Sequence, residues 1–333
     1  MPMMPKLRLT LSCWNYDRTR ALMEERIPID GVELNYLNLP IEETFFRMMR
    51  NQEFDVAEMS LSSYTLSLFG EDPPFIAIPV FPSRSFRHSG IFINTASGIR
   101  EPKDLIGKRV GNPEFQLTAI VWIRGILADL YGVPLRSVSY FTGGQEDPGR
   151  IEKAKLSLPQ DILVQAIPAH KTLSKMLLQG EIDALYAPRA PSTLFSHPDK
   201  VQRLFPNYPV VERDYYLKTK IFPIMHVIAI RREVYESNPW VAQSLYKAFV
   251  AAQREVYEDM HEVAALKVML PWLTSHLEET EGLLGRDFWP YGVEPNVNTL
   301  QTFLRYSCEQ GLAKRLLEPR ELFAPETLEA FKI

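Results

Sequence analysis

Apolar and polar positions alternate along residues 6–12 and again along residues 31–38, the two-residue period of half-buried strands. Between and after them the period lengthens to that of a helix. It does so over residues 17–26, closed by Pro28, and over residues 41–50, where Glu42 and Glu43 favour the positive helix end. Residues 54–59 return as a strand, Ser60 opens the next helix, and residues 75–81 read as a buried strand. A second run of the same kind begins at residues 108–111. It passes through a helix over 118–131 and a strand over 138–141, then closes with a helix over 171–179, a stop at Gly180 and a strand over 182–187. Strands alternating with helices predict an α/β fold with parallel-rich sheets covered on both faces.

After the apolar run 224–230 the pattern is almost wholly helical. Asn238 is placed as an N-cap with Pro239 at the first helical position, the helix then runs to about residue 269, and another covers 296–310. Such a tail most simply packs back on the first run. The expected organisation is therefore a discontinuous lobe, 1–93 with 224–333, wrapped around an inserted lobe, 94–223, with hinge-like crossings near 89–94 and 224–230.

Composition narrows the class. At 333 residues the chain exceeds the size at which one core stops growing. A hydrophobic content of 46%, a charged content of 23% and a net charge of -4 describe a globular protein without the basic stripe of a nucleic-acid binder. No apolar run approaches the roughly 18 residues of a membrane span. The opening residues 1–6 run into a strand pattern without the charged segment and long apolar run of a secretory signal, so the cytoplasm is the expected location. Cys13 and Cys308 have neither metal-type nor redox-type spacing. The six histidines show no ligand pair, so no metal is expected from local motifs, although a nonlocal site stays open. No Gly-x-Ser-x-Gly elbow occurs, which argues against a serine hydrolase.

In open parallel sheets ligands bind beyond the carboxyl ends of the strands. That rule selects Trp14, Tyr16, Ser60 and Ser62 in the first run, and Asn112, Glu114, Phe115, Thr118 and Arg189 in the second. It also selects the segment holding Arg84, Arg87 and His88, where two guanidinium forks and a titrating ring suit a carboxylate-bearing ligand. The bland alternative there is an exposed basic loop. Ser60 and Ser62 fit an anion seat or ordinary helix capping, and Trp14, Tyr16 and Phe115 fit an aromatic wall or plain core. Arg189, between Pro188 and Pro191, is a third carboxylate contact or a solvent-facing side chain. His226, inside an apolar strand, is a core histidine or a second cleft group. Gly143-Gly144 lacks the spacing and lysine of a phosphate loop and reads as a tight turn.

Several segments carry a resemblance along nearly the whole chain: Ser85-Phe86-Arg87-His88-Ser89, Pro113-Glu114-Phe115-Gln116-Leu117-Thr118-Ala119, Gly143-Gly144-Gln145-Glu146-Asp147-Pro148-Gly149-Arg150 and Gly180-Glu181-Ile182-Asp183-Ala184. With them the chain resembles the 4,5-dihydroxyphthalate decarboxylase family, whose members resemble type II periplasmic substrate-binding proteins. The Asp104-Leu105-Ile106-Gly107-Lys108 piece is shared by many binding proteins and adds little.

The resemblance implies a two-lobed type II periplasmic-binding-protein-like fold, with two parallel-rich sheets flanked by helices, a central cleft and a helical C-terminal tail. It implies a carboxy-lyase of phthalate catabolism that converts 4,5-dihydroxyphthalate to protocatechuate and carbon dioxide. The expected partner is a small aromatic carboxylate, with no organic cofactor; a divalent metal and homo-oligomerisation stay open. No residue role is carried over from the family; read from the residues themselves, Arg84 and Arg87 are expected to hold the adjacent carboxylates. His88 protonates the ring carbon or withdraws the phenolic proton, and Glu114 or His226 takes the complementary role. The competing class is a binding protein that captures a small carboxylate for a transporter or sensor. A thiamine pyrimidine-precursor synthase ranks last, because its Cys/His-rich equipment is not apparent.

Overall fold

The computed structural model describes residues 5–153 and 156–329, so residues 1–4, which belong to the segment read for a leader, lie outside it. The chain divides into two compact units: Met1–Arg84 with His226–Leu300 and Leu317–Ile333, and Ser85–Met225 with Gln301–Leu316.

The first unit opens with β1 (Leu7–Ser12), α1 (Asp17–Met23), β2 (Val32–Leu37), α2 (Ile41–Asn51), β3 (Val56–Ser60), α3 (Leu61–Ser67) and β4 (Phe75–Ile78). In the second follow β5 (Ile91–Asn94), β6 (Arg109–Asn112), α4 (Thr118–Tyr131), β7 (Ser139–Thr142), β8 (Val164–Ala166), α5 (Leu173–Gln179), β9 (Ala184–Tyr186), α6 (Ser192–Ser196), β10 (Val201–Arg203) and α7 (Tyr208–Thr219). The first unit resumes with β11 (His226–Arg231), α8 (Arg232–Ser237), α9 (Trp240–His261) and α10 (Leu273–Leu284), and α11 (Val297–Glu309) comes last among the helices.

Two sheets result, in the orders β2-β1-β3-β11-β4 and β10-β5-β9-β6-β7-β8. Both are mixed α/β sheets flanked by helices, and each owes its antiparallel pairs to one strand. That strand is β11 in the first, pairing antiparallel with β3 and β4, and β5 in the second, pairing antiparallel with β9 and β10. Strand β3 is buried at all five positions, as a central strand covered on both faces must be. Gly180 does stop α5, in the left-handed conformation (φ 73°) that glycine adopts without steric cost.

Three expectations are corrected. The helix beginning near residue 240 ends at His261, because residues 262–272 are all exposed and gain nothing from helical packing. Its N-cap is Pro239, one residue after the one expected. Residues 301–316 group with the second unit, whereas the tail was expected to pack wholly on the first. The reason is local: Gly125 in α4 leaves room for the Tyr306 ring, which would lie 2.2 Å from a Cβ there, and Trp122 meets Phe303 and Tyr306 at ring centroid distances of 5.6 Å. The short strands β8 and β10, three residues each, went unpredicted because three residues show no period. Among the described residues no helix is long and apolar enough to cross a membrane.

Candidate active site

Strands β1 and β3 run parallel, so their carboxyl ends meet at one edge of the first sheet. Strand β11 runs the other way, and its first residue, His226, pairs with Ser60 at the end of β3. Because side chains alternate along a strand, Glu58 and Ser60 share a face, and His226 is the diagonal neighbour of Glu58 on that face. The fully buried Glu58 carboxylate takes His226 Nδ1 on Oε1 at 2.6 Å. Tyr16 donates its hydroxyl to the same oxygen at 2.7 Å. Oε2 accepts from the Trp14 N–H at 3.1 Å and from the Cys13 thiol at 3.4 Å.

The loop that delivers these donors is locked by its own short contacts. Thr19 Oγ1 accepts from the Tyr16 N–H at 3.2 Å and donates to the Trp14 carbonyl at 3.1 Å, while the Tyr36 hydroxyl donates to that carbonyl as well. Burial alone would raise the Glu58 carboxyl. The hydrogen bond and charge of His226, together with Tyr16 and the Trp14 N–H, outweigh it and hold Glu58 below the usual carboxylate range. Burial, then the Glu58 charge, pushes the Tyr16 phenol and the Cys13 thiol far up, so both stay protonated donors.

His226 retains 19% of its side chain in the open, and its Nε2 has no hydrogen-bond partner among the described residues. Phe45 stands edge-on to the ring at 4.9 Å. With Nδ1 occupied by the carboxylate, Nε2 is the edge left to exchange a proton with a ligand. Trp14, whose N–H is held by Glu58, keeps 41% of its surface exposed. Arg18 is stacked between the rings of Tyr16 and Trp289, at 4.2 and 4.4 Å.

Of the residues singled out from the sequence, Trp14, Tyr16 and His226 converge here. Ser60 lies beside them, with its hydroxyl accepting from the Ser63 N–H as the cap of α3, and Ser62 is fully buried in that helix. Arg84 belongs to the same unit but is committed elsewhere: its NH2 donates to the Pro290 carbonyl at 2.7 Å and to Asn296 Oδ1. It is a buried clamp on the 290–296 loop rather than a displayed fork.

The others belong to the second unit. His88 is 1% exposed and caged by the rings of Tyr131, Phe205 and Tyr215, and burial lowers its pKa to about 4. At neutral pH about one ring in a thousand would carry a proton to give. Glu114 is fully buried as a counter-ion, accepting from Arg150 Nε at 2.9 Å, from the Lys153 ammonium, and from Gln116 Nε2 at 2.9 Å. Arg87 is half-buried with Nε on Met225 Sδ, and burial, offset in part by Glu212, lowers its pKa to about 10. Asn112 is fully buried at the end of β6, and its side-chain amide has no hydrogen-bond partner among the described residues. Phe115 is buried under the Arg124 guanidinium at 3.6 Å, Thr118 starts α4, and Arg189 is exposed.

Sequence reasoning missed Glu58, Cys13 and Arg18. Glu58 did leave a signal, a carboxylate inside the apolar run Val56-Ala57-Glu58-Met59. Nothing separates Arg18 from Arg20 in the sequence.

No protein-family model matches the chain. Among solved structures, the periplasmic aliphatic sulphonate binding protein SsuA from Escherichia coli superposes with a TM-score of 0.53 at 13% identity, covering 98% of this chain and 99% of that one. The desulfurization enzyme DSZB superposes with a TM-score of 0.51 at 14% identity, covering 97% and 98%. A binder and an enzyme thus share this fold, and the likeness speaks to fold alone. The 4,5-dihydroxyphthalate decarboxylase of Pseudomonas putida is 43% identical over 213 residues, 64% of this chain and 83% of that protein. That of Comamonas testosteroni is 41% identical over 330 residues, 99% of this chain and 100% of that protein. On that similarity, continuous from end to end, the chain belongs to the 4,5-dihydroxyphthalate decarboxylase family.

Proposed function

We propose that the protein is a carboxy-lyase that removes one carboxylate of 4,5-dihydroxyphthalate as carbon dioxide, leaving protocatechuate, with His226 as the proton carrier. The observation that carries this reading is the buried Glu58 carboxylate on His226 Nδ1, with Nε2 unpartnered among the described residues.

Expelling carbon dioxide directly from an arene would leave an aryl anion, so the ring carbon must gain a proton first. In the scheme, the ring π electrons, reinforced by the hydroxyl oxygen para to the departing carboxylate, take the Nε2 proton of the imidazolium and form the new C–H bond. The C–C bond to the carboxylate then breaks. Its electron pair restores the aromatic sextet and carbon dioxide leaves, so one proton is consumed for each carboxylate lost. The Glu58 carboxylate stabilises the imidazolium and keeps the ring oriented, the task of the third member of an acid–base triad. Phe45 gives the reacting edge an apolar neighbour, which suits a carboxylate turning into a neutral gas. The scheme draws on protein groups alone.

The partner in this reading is a small aromatic dicarboxylate. The proposed location is the cytoplasm, a reducing compartment in keeping with Cys13 and Cys308 both being free thiols. The competing reading, a binding protein for an aromatic carboxylate, draws on the sulphonate-binding relatives of the fold.

One experiment tests both readings. Carbon dioxide release from 4,5-dihydroxyphthalate is measured for the wild-type protein and for His226→Gln, alongside ligand affinity. Turnover should fall at least about 100-fold in the variant while binding survives. Near-normal turnover would remove His226 from the chemistry, and tight binding without any turnover by the wild-type protein would favour the binder.

A further inference from the structure

We propose that Arg18 is the receptor for the carboxylate that the substrate keeps, and thereby sets the preference for a vicinal dicarboxylate. The inference rests on the decarboxylase reading above and adds a specificity determinant to it.

Arg18 is built as a fixed receptor. Its Nε donates to the Pro82 carbonyl at 2.6 Å and its NH1 to Asp17 Oδ1 at 2.9 Å. Its planar group is clasped between the Tyr16 and Trp289 rings, and 16% of its side chain remains exposed. NH2 has no hydrogen-bond partner among the described residues. A guanidinium packed against two rings and hydrogen-bonded through Nε and NH1 has already lost most of its rotamer freedom, so a ligand carboxylate meets a pre-organised donor at NH2. Asp17 is an exposed partner and neutralises little of the charge. The Arg18 charge also acts on the Tyr291 hydroxyl, which is buried without a hydrogen-bond partner among the described residues.

The same Tyr16 that stacks on Arg18 donates its hydroxyl to Glu58, and Glu58 holds His226. One aromatic side chain therefore ties the anion receptor to the acid–base pair. Which carboxylate Arg18 takes follows from the reaction. A guanidinium on the departing group would stabilise a charged ground state that becomes neutral carbon dioxide, and would raise the barrier. On the retained group the interaction is equal in ground and transition states, so it lowers KM and leaves the chemical step alone.

The test uses Arg18→Gln and Arg18→Lys, with kinetics on 4,5-dihydroxyphthalate and calorimetric binding of protocatechuate and catechol. For Arg18→Gln, KM should rise about 10- to 100-fold with kcat within about threefold. Protocatechuate affinity should fall by the same factor, because the product still carries that carboxylate, while catechol affinity stays unchanged. Arg18→Lys, with a charge but no planar fork, should fall between the two. Unchanged protocatechuate affinity would overturn the assignment, as would a loss confined to kcat. The product-binding comparison is decided even if the wild-type protein releases no carbon dioxide, so failure of the decarboxylase reading and failure of the Arg18 assignment are separable.

Discussion

Glu58 and His226 are diagonal neighbours across β3 and β11, and the 2.6 Å contact between Oε1 and Nδ1 ties an imidazole ring to a carboxylate held below its usual pKa. Glutamine at position 58 would keep the shape, but its single carbonyl oxygen could accept either from Tyr16 or from the Trp14 N–H, which sit on different oxygens of the carboxylate. It would lose the negative charge on the oxygen that holds His226 Nδ1. Glu58→Gln should therefore cost about 100- to 1,000-fold in kcat, with KM little altered, as measured by carbon dioxide release. If the variant turns over like the wild-type protein, the pair is structural.

Glu114 illustrates how a residue at the carboxyl end of a strand can be internal scaffolding. Its two oxygens are occupied by Arg150, the Lys153 ammonium and N–H, and Gln116. Glu114→Ala would strand a buried ammonium without its counter-ion and should destabilise the protein by about 3–5 kcal/mol in urea unfolding. Turnover per folded molecule should stay within about threefold of wild type. A large fall in kcat at full folding would return Glu114 to the catalytic role first read from the sequence.

The alternation of strands and helices made the α/β class and most element positions legible, and α4 runs over the residues expected, Thr118–Tyr131. Local pattern also marked the Trp14-to-Tyr16 loop, as a segment following a strand end, and His226, as a titrating residue inside an apolar run. What it could not show was which polar groups are already satisfied. Arg84 reads as a free fork, yet its partner Asn296 lies 212 residues away along the chain. Arg18 reads as an ordinary helix arginine until the two rings that clasp it, one of them from residue 289, are seen together. The grouping of residues 301–316 with the second unit likewise depends on the space left at Gly125, a shape that no hydrophobic pattern encodes.

His88 provides the clearest pH signature. It lies among the rings of Tyr131, Phe205 and Tyr215, neither ring nitrogen has a hydrogen-bond partner among the described residues, and burial lowers its pKa from 6.5 to about 4. Between these two values the unfolded chain binds a proton at this site and the folded protein does not. Linkage then makes stability rise with pH across that window. The contribution is fully present above the unfolded value, near 6.5, and is lost progressively as pH falls toward 4, reaching about 3 kcal/mol. His88→Phe places a ring of similar size in the same cage and removes the titration. Urea unfolding at pH 7, 6, 5 and 4.5 should show the variant losing less stability on acidification than the wild-type protein, with the gap widening at each step below 6.5. Parallel curves for the two proteins would mean that His88 binds its proton in the folded protein as readily as in the unfolded chain, and would reopen its part in proton transfer.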